Sequence, residues 1–351
     1  MKPPKNSRLT IQQQVVPDFS SVERAAQFHL SIERQLNRLE RALNRRVFTQ
    51  TACATLFASQ GFAKKHLTLH IGHTGLTWIP LGPPAGGVRP AINPMQDPQY
   101  VDAAIRDIAG LGFYGIELFG NQIEAMEASG GVGALLEKYN LPLISAYCGT
   151  NLSVPEQRKD SIAKTLEWAK LLKKYKGKVI VVGPNGVKRS AYDFKAHKDD
   201  IVTTLNELGK AVMDMGLTPV LHQHTGTCVE TREETYAVLE AVDTRVMKFG
   251  PDIGQLQKGG SDPVQVVKDF LPLVQHMHLK DYVGGPDYLG YCPLGQGKVD
   301  MPAILAMMNG RKTAGLIMVE LDSPPPQPAP ALENAKIAKA YLEKQGVSFR
   351  S

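Results

Sequence analysis

The feature that most constrains this chain is an eightfold alternation of two kinds of segment, which begins at His66. A short run of β-branched or apolar residues is followed each time by a polar loop and then by an amphipathic stretch with helical periodicity. The apolar runs predict strands at residues 67–71, 115–118, 143–147, 179–182, 218–222, 247–250, 274–279 and 316–320. The amphipathic stretches predict helices at residues 100–109, 123–139, 157–175, 199–215, 232–242, 263–271, 302–308 and 331–344.

Eight strand–helix units in series predict one parallel sheet that closes on itself, a (β/α)8 TIM barrel over residues 66–351. The alternative is an open doubly wound sheet. That fold would normally carry a glycine fingerprint after its first strand, and the residues from His73 to Leu76 do not form one. The length of 351 residues suits a barrel of about 250 residues with an N-terminal extension.

The positive charge of the chain is concentrated in the N-terminal extension. The formal net charge is +6, but residues 1–65 hold 11 basic and 4 acidic residues, and the remainder holds 29 basic and 30 acidic residues. The barrel therefore lacks the charge excess of a nucleic-acid-binding protein. No apolar run approaches the roughly 20 residues of a membrane span.

Part of the extension, about residues 43–63, resembles a twin-arginine export signal. Arg45 and Arg46 precede Phe48, a short, weakly apolar run follows, and the small-x-Ala pattern at Gly61–Ala63 suits a cleavage site. We therefore expect export to the periplasm or beyond. The position is unusual, because a long segment precedes the arginines. The alternative is an amphipathic helix with a chance arginine pair, which would leave the protein in the cytoplasm.

Polar side chains collect where five predicted strands end. Active sites of TIM barrels lie at the C-terminal ends of the strands. The residues at these ends are Glu117 on strand 2, His222 and His224 on strand 5, Asp252 and Gln255 after strand 6, His276, His278 and Lys280 on strand 7, and Glu320 on strand 8. Because imidazole and carboxylate groups suit Mn²⁺, Co²⁺, Fe²⁺ or Zn²⁺, the set predicts a divalent metal site.

The same segments resemble the xylose isomerase-like TIM-barrel superfamily of sugar isomerases, ketose epimerases, inosose dehydratases and endonuclease IV enzymes, over about residues 67–346. The inosose dehydratase branch is the most similar. Its motifs H-x-H-x-G-T-x-V-E-T, D-T-G-H…G-G-D-P and H-x-H-x-K-D resemble the segments that begin at His222, Asp252 and His276.

The resemblance implies four metal ligands: His222, Asp252, His278 and Glu320. Catalytic acid–base roles fall to Glu320, His224 and Lys280, and substrate contacts to Glu117, Gln255 and His276. Two positions depart from the family. His222 stands where the epimerases have glutamate, which puts a symmetric two-carboxylate exchange in doubt, and Gln255 stands where histidine is usual.

The implied reaction is removal of a proton next to a carbonyl of a small sugar or cyclitol. We expect an isomerase or epimerase, the broader class, with an inosose dehydratase-like lyase as the alternative. A DNA repair enzyme of the endonuclease IV kind and a non-catalytic sugar-binding barrel are less favoured. The sequence does not identify the substrate, the metal or the oligomeric state. The glycines Gly295 and Gly297 are a weak indication of an anion site built from backbone amides.

Overall fold

A computed structural model describes residues 66–80, 93–322 and 328–351. The predicted extension and its twin-arginine segment lie outside these residues. The described residues form ten strands: β1 Ile71–Thr74, β2 Ile116–Phe119, β3 Leu143–Thr150, β4 Val179–Pro184, β5 Thr218–Leu221, β6 Lys248–Phe249, β7 Met277–Leu279, β8 Asp281–Tyr282, β9 Tyr291–Cys292 and β10 Ile317–Val319. No described helix is both long enough and apolar enough to cross a membrane.

The helices alternate with the strands as the periodicity predicts. They are α1 Pro98–Gly110, α2 Gly120–Ala128, α3 Gly133–Lys138, α4 Arg158–Lys174, α5 Phe194–Asp214, α6 Arg232–Leu239, α7 Ile253–Lys258, α8 Pro263–Asp269, α9 Met301–Met308 and α10 Ala331–Lys344. Thr231 caps α6: its side chain accepts a hydrogen bond from the Glu234 amide, and the Glu234 side chain accepts one from the Thr231 amide.

Eight strands form one parallel sheet in the order β6-β5-β4-β3-β2-β1-β10-β7. Its two outer strands come together through isolated parallel bridges that join Phe249 to Val274 and Asp252 to His278. The predicted (β/α)8 TIM barrel is confirmed. We call the β6–β7 contact the seam, because two bridges hold it whereas β3 and β4 pair over six residues.

The apolar core lies mainly between the strands and the surrounding helices. A separate small cluster of Val179, Val181 and Val220, with Tyr147 and Ala314 against it, fills part of the barrel interior. Parallel strands buried on both faces explain why the strand segments are almost continuously apolar. The polar residues at their C-terminal ends therefore stand on a rigid, close-packed base.

Three local differences separate the structure from the sequence-based expectations. The first strand lies at Ile71–Thr74 and not at residues 67–71, because only this segment pairs with β10. The helix predicted over residues 123–139 is two helices, since Gly130 and Gly131 both adopt positive φ values, 98° and 89°, that end a helix. Helix α7 and the β8–β9 hairpin were not predicted.

Candidate active site

The four predicted metal ligands all lie at the C-terminal end of the barrel. His222 and Glu320 directly follow β5 and β10, Asp252 lies three residues beyond the end of β6, and His278 lies on β7. All four side chains are buried. Described side chains of His222, Asp252 and His278 each offer one ligand atom, and these atoms lie within 4.8 Å of one another.

His222 has one ring nitrogen engaged and one directed at the site. Its Nδ1 lies 3.1 Å from the Gly250 carbonyl oxygen, so Nδ1–H donates to that oxygen and the tautomer leaves a lone pair on Nε2. That Nε2 lies 4.0 Å from Asp252 Oδ2. Burial lowers the pKa of His222 well below its ordinary value, and the nearby His278 lowers it further. The imidazole is therefore neutral, the form that binds a metal.

The two carboxylate oxygens of Asp252 have separate roles. Oδ1 accepts hydrogen bonds from the amides of Gly254 and Gln255, both at 2.9 Å, which makes Asp252 the cap of α7. Oδ2 accepts no hydrogen bond of normal geometry from the described residues, although Lys280 Nζ is 3.0 Å away. The cap therefore fixes the carboxylate while one oxygen faces His222.

His278 lies between two carboxylates. Its Nε2 is 2.8 Å from Glu117 Oε1, and its Nδ1 is 2.7 Å from Glu320 Oε2. Burial alone would lower the pKa of His278, but the charges of Glu117 and Glu320 outweigh it and raise the pKa well above its ordinary value. Neither nitrogen forms a hydrogen bond of normal geometry. The charges of Glu117 and Glu320 therefore hold the His278 ring, although its nitrogens form no well-aligned hydrogen bond.

Glu117 and His276 lie beneath His278. Glu117 Oε2 accepts a hydrogen bond from Ser145 Oγ at 2.6 Å and lies 2.9 Å from His276 Nε2. Burial would raise the pKa of Glu117, but His278 and His276 lower it overall. Neither side chain lines the cavity described below. The predicted substrate contacts of Glu117 and His276 are therefore not supported by their placement, since both support His278 from below.

Lys280 is fully buried among three carboxylates. Its Nζ lies 2.5 Å from Glu320 Oε1, 3.0 Å from Asp252 Oδ2 and 3.2 Å from Asp322 Oδ2. Burial would lower the pKa of Lys280, but the three carboxylates, Asp252 first, raise it well above its ordinary value. The same contact keeps Glu320 ionised: burial would raise its pKa, but Lys280 and His278 lower it well below its usual range.

His224 has both ring nitrogens engaged. Its Nδ1 lies 2.7 Å from the Thr225 carbonyl oxygen, and its Nε2 lies 2.8 Å from Gln255 Nε2. The amide of Gln255 is oriented by Thr225, whose N–H and hydroxyl both donate to Gln255 Oε1. Nε2 of His224 therefore accepts a hydrogen bond and Nδ1–H donates one. His224 lines the cavity, but its predicted acid–base role would require these bonds to break.

The amide cradle suggested by Gly295 and Gly297 is filled by the protein itself. The buried Asp281 carboxylate accepts hydrogen bonds from the amides of Tyr282, Gly295, Gly297 and Val299 at 2.8–3.2 Å. The Asp281 carboxylate therefore occupies the amide site that an external anion would otherwise bind.

The chemistry of the donor set fits a divalent metal. Three carboxylates, from Asp252, Glu320 and Asp322, surround one ammonium group, so the described site carries excess negative charge. Asp252 Oδ2 and His278 lack hydrogen bonds of normal geometry, and His222 Nε2 faces Asp252. His222, Asp252 and His278 would hold the ion, which would displace the proton of the His278 ring, with Glu320 beside His278 as the predicted fourth ligand. Nitrogen and oxygen donors suit Mn²⁺, Co²⁺, Fe²⁺ or Zn²⁺.

A cavity of about 260 Å³ opens above these residues. Its polar lining is His222, His224, Glu320 and Asp322, and its apolar lining is Leu76, Met95, Phe119, Tyr147 and Leu289. The sequence predictions did not include Tyr147 or Asp322 in the site. Asp322 lies two residues beyond Glu320 at the end of β10, and this spacing is the signal by which sequence could have included it.

The chain belongs to the xylose isomerase-like TIM-barrel family, whose model matches residues 105–344. An inosose dehydratase of Clostridium botulinum is 25% identical over 276 residues, which cover 70% of this chain and 89% of that protein. The probable 3-DHS dehydratase AsbF of Bacillus anthracis has a similar fold, with a TM-score of 0.61 and 17% identity over 78% of this chain and 99% of AsbF. The IOLI protein with a binding zinc atom also has a similar fold, with a TM-score of 0.62 and 16% identity over 79% of this chain and 98% of the IOLI chain.

Proposed function

We propose that this chain is a metal-dependent dehydratase that removes a proton next to the carbonyl of a small sugar or cyclitol and then eliminates a hydroxyl group. The proposal rests on the position in the barrel of the carboxylates that line the cavity. Glu320 and Asp322 both follow one strand, β10, and the strand-5 position holds His222. Exchange of a proton between two faces of a substrate needs bases on both sides. The similarity to inosose dehydratases also supports elimination.

Glu320 is the proposed base. Lys280 and His278 keep its carboxylate ionised inside a buried site, so it can accept the proton from the carbon next to the carbonyl. The electron pair of that C–H bond forms the new double bond as the C–O bond of the neighbouring hydroxyl breaks. The proton on Glu320 leaves with that hydroxyl as water. A divalent ion at His222, Asp252 and His278 would supply Lewis acidity toward the carbonyl oxygen.

Isomerisation or epimerisation is the second candidate, because it begins with the same proton removal. The observation that favours it is the contact of 2.5 Å between Lys280 Nζ and Glu320 Oε1. The Lys280 ammonium would give a proton to the substrate at a different atom, and the proton that Glu320 has removed would replace it. The hydroxyl would then be retained, and the product would have the mass of the substrate.

The test is a screen of inososes and ketoses in D₂O with wild-type protein, Glu320→Gln and the matched control Asp322→Asn. We expect loss of water in the wild type. Glu320→Gln should keep bound metal and slow deuterium exchange by about 10²–10⁴-fold, the usual contribution of a general base. Asp322→Asn should retain most of the exchange. A product that retains every oxygen atom of the substrate and differs from it only by incorporated deuterium would replace the dehydratase by an isomerase or epimerase. Normal exchange in Glu320→Gln would place the base elsewhere.

We also propose that residues 43–63 direct export by the twin-arginine route, which rests on the sequence alone. N-terminal sequencing of protein recovered from the periplasm tests this proposal. A mature chain that begins upstream of Arg45 would contradict it.

A further inference from the structure

Five of the nine described residues that line the cavity are apolar or aromatic, and we call this set the apolar wall. Leu76, Met95, Phe119, Tyr147 and Leu289 come from different segments of the chain and line it together. Phe119 and Tyr147 are in ring contact, with centroids 4.8 Å apart. Such a wall favours contact with the carbon atoms of a ligand, because hydroxyl groups directed at it would lose their hydrogen bonds to water.

The outer part of this wall is exposed to solvent and has an unfavourable backbone conformation. Leu289 is 50% exposed, although it lies in the loop of the β8–β9 hairpin at the cavity. Its φ of 59° and that of Tyr288, 48°, are left-handed values that side chains with a Cβ avoid. Val283 in the same loop is 40% exposed. An exposed leucine in an unfavourable backbone conformation, beside a cavity, indicates a ligand contact.

The charges around the cavity disfavour an anionic ligand. No lysine or arginine is among the described residues that line it, whereas Glu320 and Asp322 are. Lys280 is surrounded by carboxylates, and Lys258 donates a hydrogen bond to the Leu289 carbonyl oxygen at 2.9 Å. Asp281 occupies the nearby amides. The described lining therefore offers a phosphate no lysine or arginine with which to pair.

We propose that the cavity binds an uncharged keto sugar or keto cyclitol that carries an apolar substituent, with the substituent against the wall of Phe119, Tyr147 and Leu289. An alkyl or aryl glycoside is the corresponding chemical class. This inference rests on the proposed function, because the polar half of the cavity is assigned to the reacting carbonyl.

The test measures the affinity of the purified, metal-loaded protein for methyl, butyl and hexyl β-D-glucopyranoside and for glucose 6-phosphate, by calorimetry. Each methylene that is fully removed from water should tighten binding about fourfold. We expect hexyl glucoside to bind at least about tenfold more tightly than methyl glucoside, since the wall covers only part of the chain. Affinity that does not rise with chain length would overturn the proposal, as would absence of binding by every glucoside or tighter binding of the phosphate.

Leu289→Asn tests whether the rise of affinity with chain length depends on the apolar wall. Because asparagine tolerates positive φ, the variant should fold. The hexyl-to-methyl affinity ratio should fall at least about threefold, which is the loss expected when roughly one methylene becomes exposed. Met213→Gln is the matched control: Met213 on α5 is also exposed, at 38%, but does not line the cavity. An equal fall in both variants would contradict the assignment. Rising affinity without proton exchange on any keto substrate would instead refute the proposed function alone.

Discussion

At the scale of single residues, His73 shows how burial sets protonation in this barrel. The ring lies edge-on to Trp78 and Phe113, with both centroid distances 5.2 Å, and its Nδ1 lies 2.6 Å from the Thr74 carbonyl oxygen. Burial lowers the pKa of His73 to about 4. The folded protein therefore holds His73 neutral at pH values where the unfolded chain binds a proton.

We predict that His73 makes folding sensitive to acid. Below pH 6.5 the unfolded state binds the proton and the folded state does not, so stability falls as the pH drops from 6.5 toward 4. The loss from this residue is about 2 kcal/mol between pH 6.5 and pH 5. Urea denaturation at both pH values should show a smaller difference for His73→Phe and His73→Asn than for the wild type. His70→Gln, at an exposed position just before β1, is the control.

Sequence reasoning located the residues of the site but not their bonding. The rule that barrel sites lie at strand ends placed His222, Asp252, His278 and Glu320 in a larger candidate set, and the family resemblance singled them out as ligands. The rule did not separate His276, which lies beneath the site, from His278, because both point the same way along one strand. The bonds of His224 depend on Gln255 from another loop, and such contacts between distant segments are not visible in one sequence.

At the scale of elements, the loop around Asp281 connects the β8–β9 hairpin to α9. Four amides donate to its carboxylate, and the backbone at Gly297 approaches closely. A Cβ at Gly297 would lie 2.1 Å from Asp281 Oδ1. The glycine is therefore required by this contact rather than by a turn.

We predict that Gly297→Ala destabilises the protein by about 2 kcal/mol or more, because the carboxylate must move and lose charged hydrogen bonds. Gly110→Ala is the matched control, since a Cβ at that position meets nothing within 4 Å. Its effect should stay within about 1 kcal/mol, as alanine is the better helix former. Chemical denaturation of both variants measures the difference. Equal stability of the two variants would show that the loop accommodates the methyl group without loss.

The elements that sequence did not predict are short and lack periodicity. Helix α7 has six residues and depends on the cap by Asp252, and the hairpin strands have two residues each. Local propensity cannot distinguish such segments from loops. The hairpin loop also carries Leu289, so this part of the cavity lining escaped prediction together with the hairpin.

At the scale of the whole molecule, the seam between β6 and β7 is closed by two isolated bridges and not by a continuous ladder. One of its two bridges joins Asp252 to His278, which are both predicted metal ligands. An ion bound by the two residues would connect the strands that backbone pairing connects weakly. The regular strand and helix periods made the barrel predictable, whereas the extent of pairing at the seam follows only from the three-dimensional register.

We predict that metal stabilises the whole barrel. Ligand at 100 times its dissociation constant adds about 2.7 kcal/mol. For a domain of this size the melting temperature should rise by about 5–10 °C. Chelator-treated protein is melted with and without added Mn²⁺, followed by circular dichroism. Asp252→Asn should lose most of the shift, and an equal shift in this variant would show that the ion stabilises the protein from another place.

The arrangement of three carboxylates around Lys280 also governs how fast molecules reach the cavity. The excess negative charge of these buried carboxylates attracts cations and repels anions over roughly a Debye length. The association rate of a divalent ion should therefore fall as salt concentration increases, whereas that of an uncharged glycoside should hardly change. Ionic strength would then set the order of arrival, with the ion first in dilute solution and a neutral ligand after it.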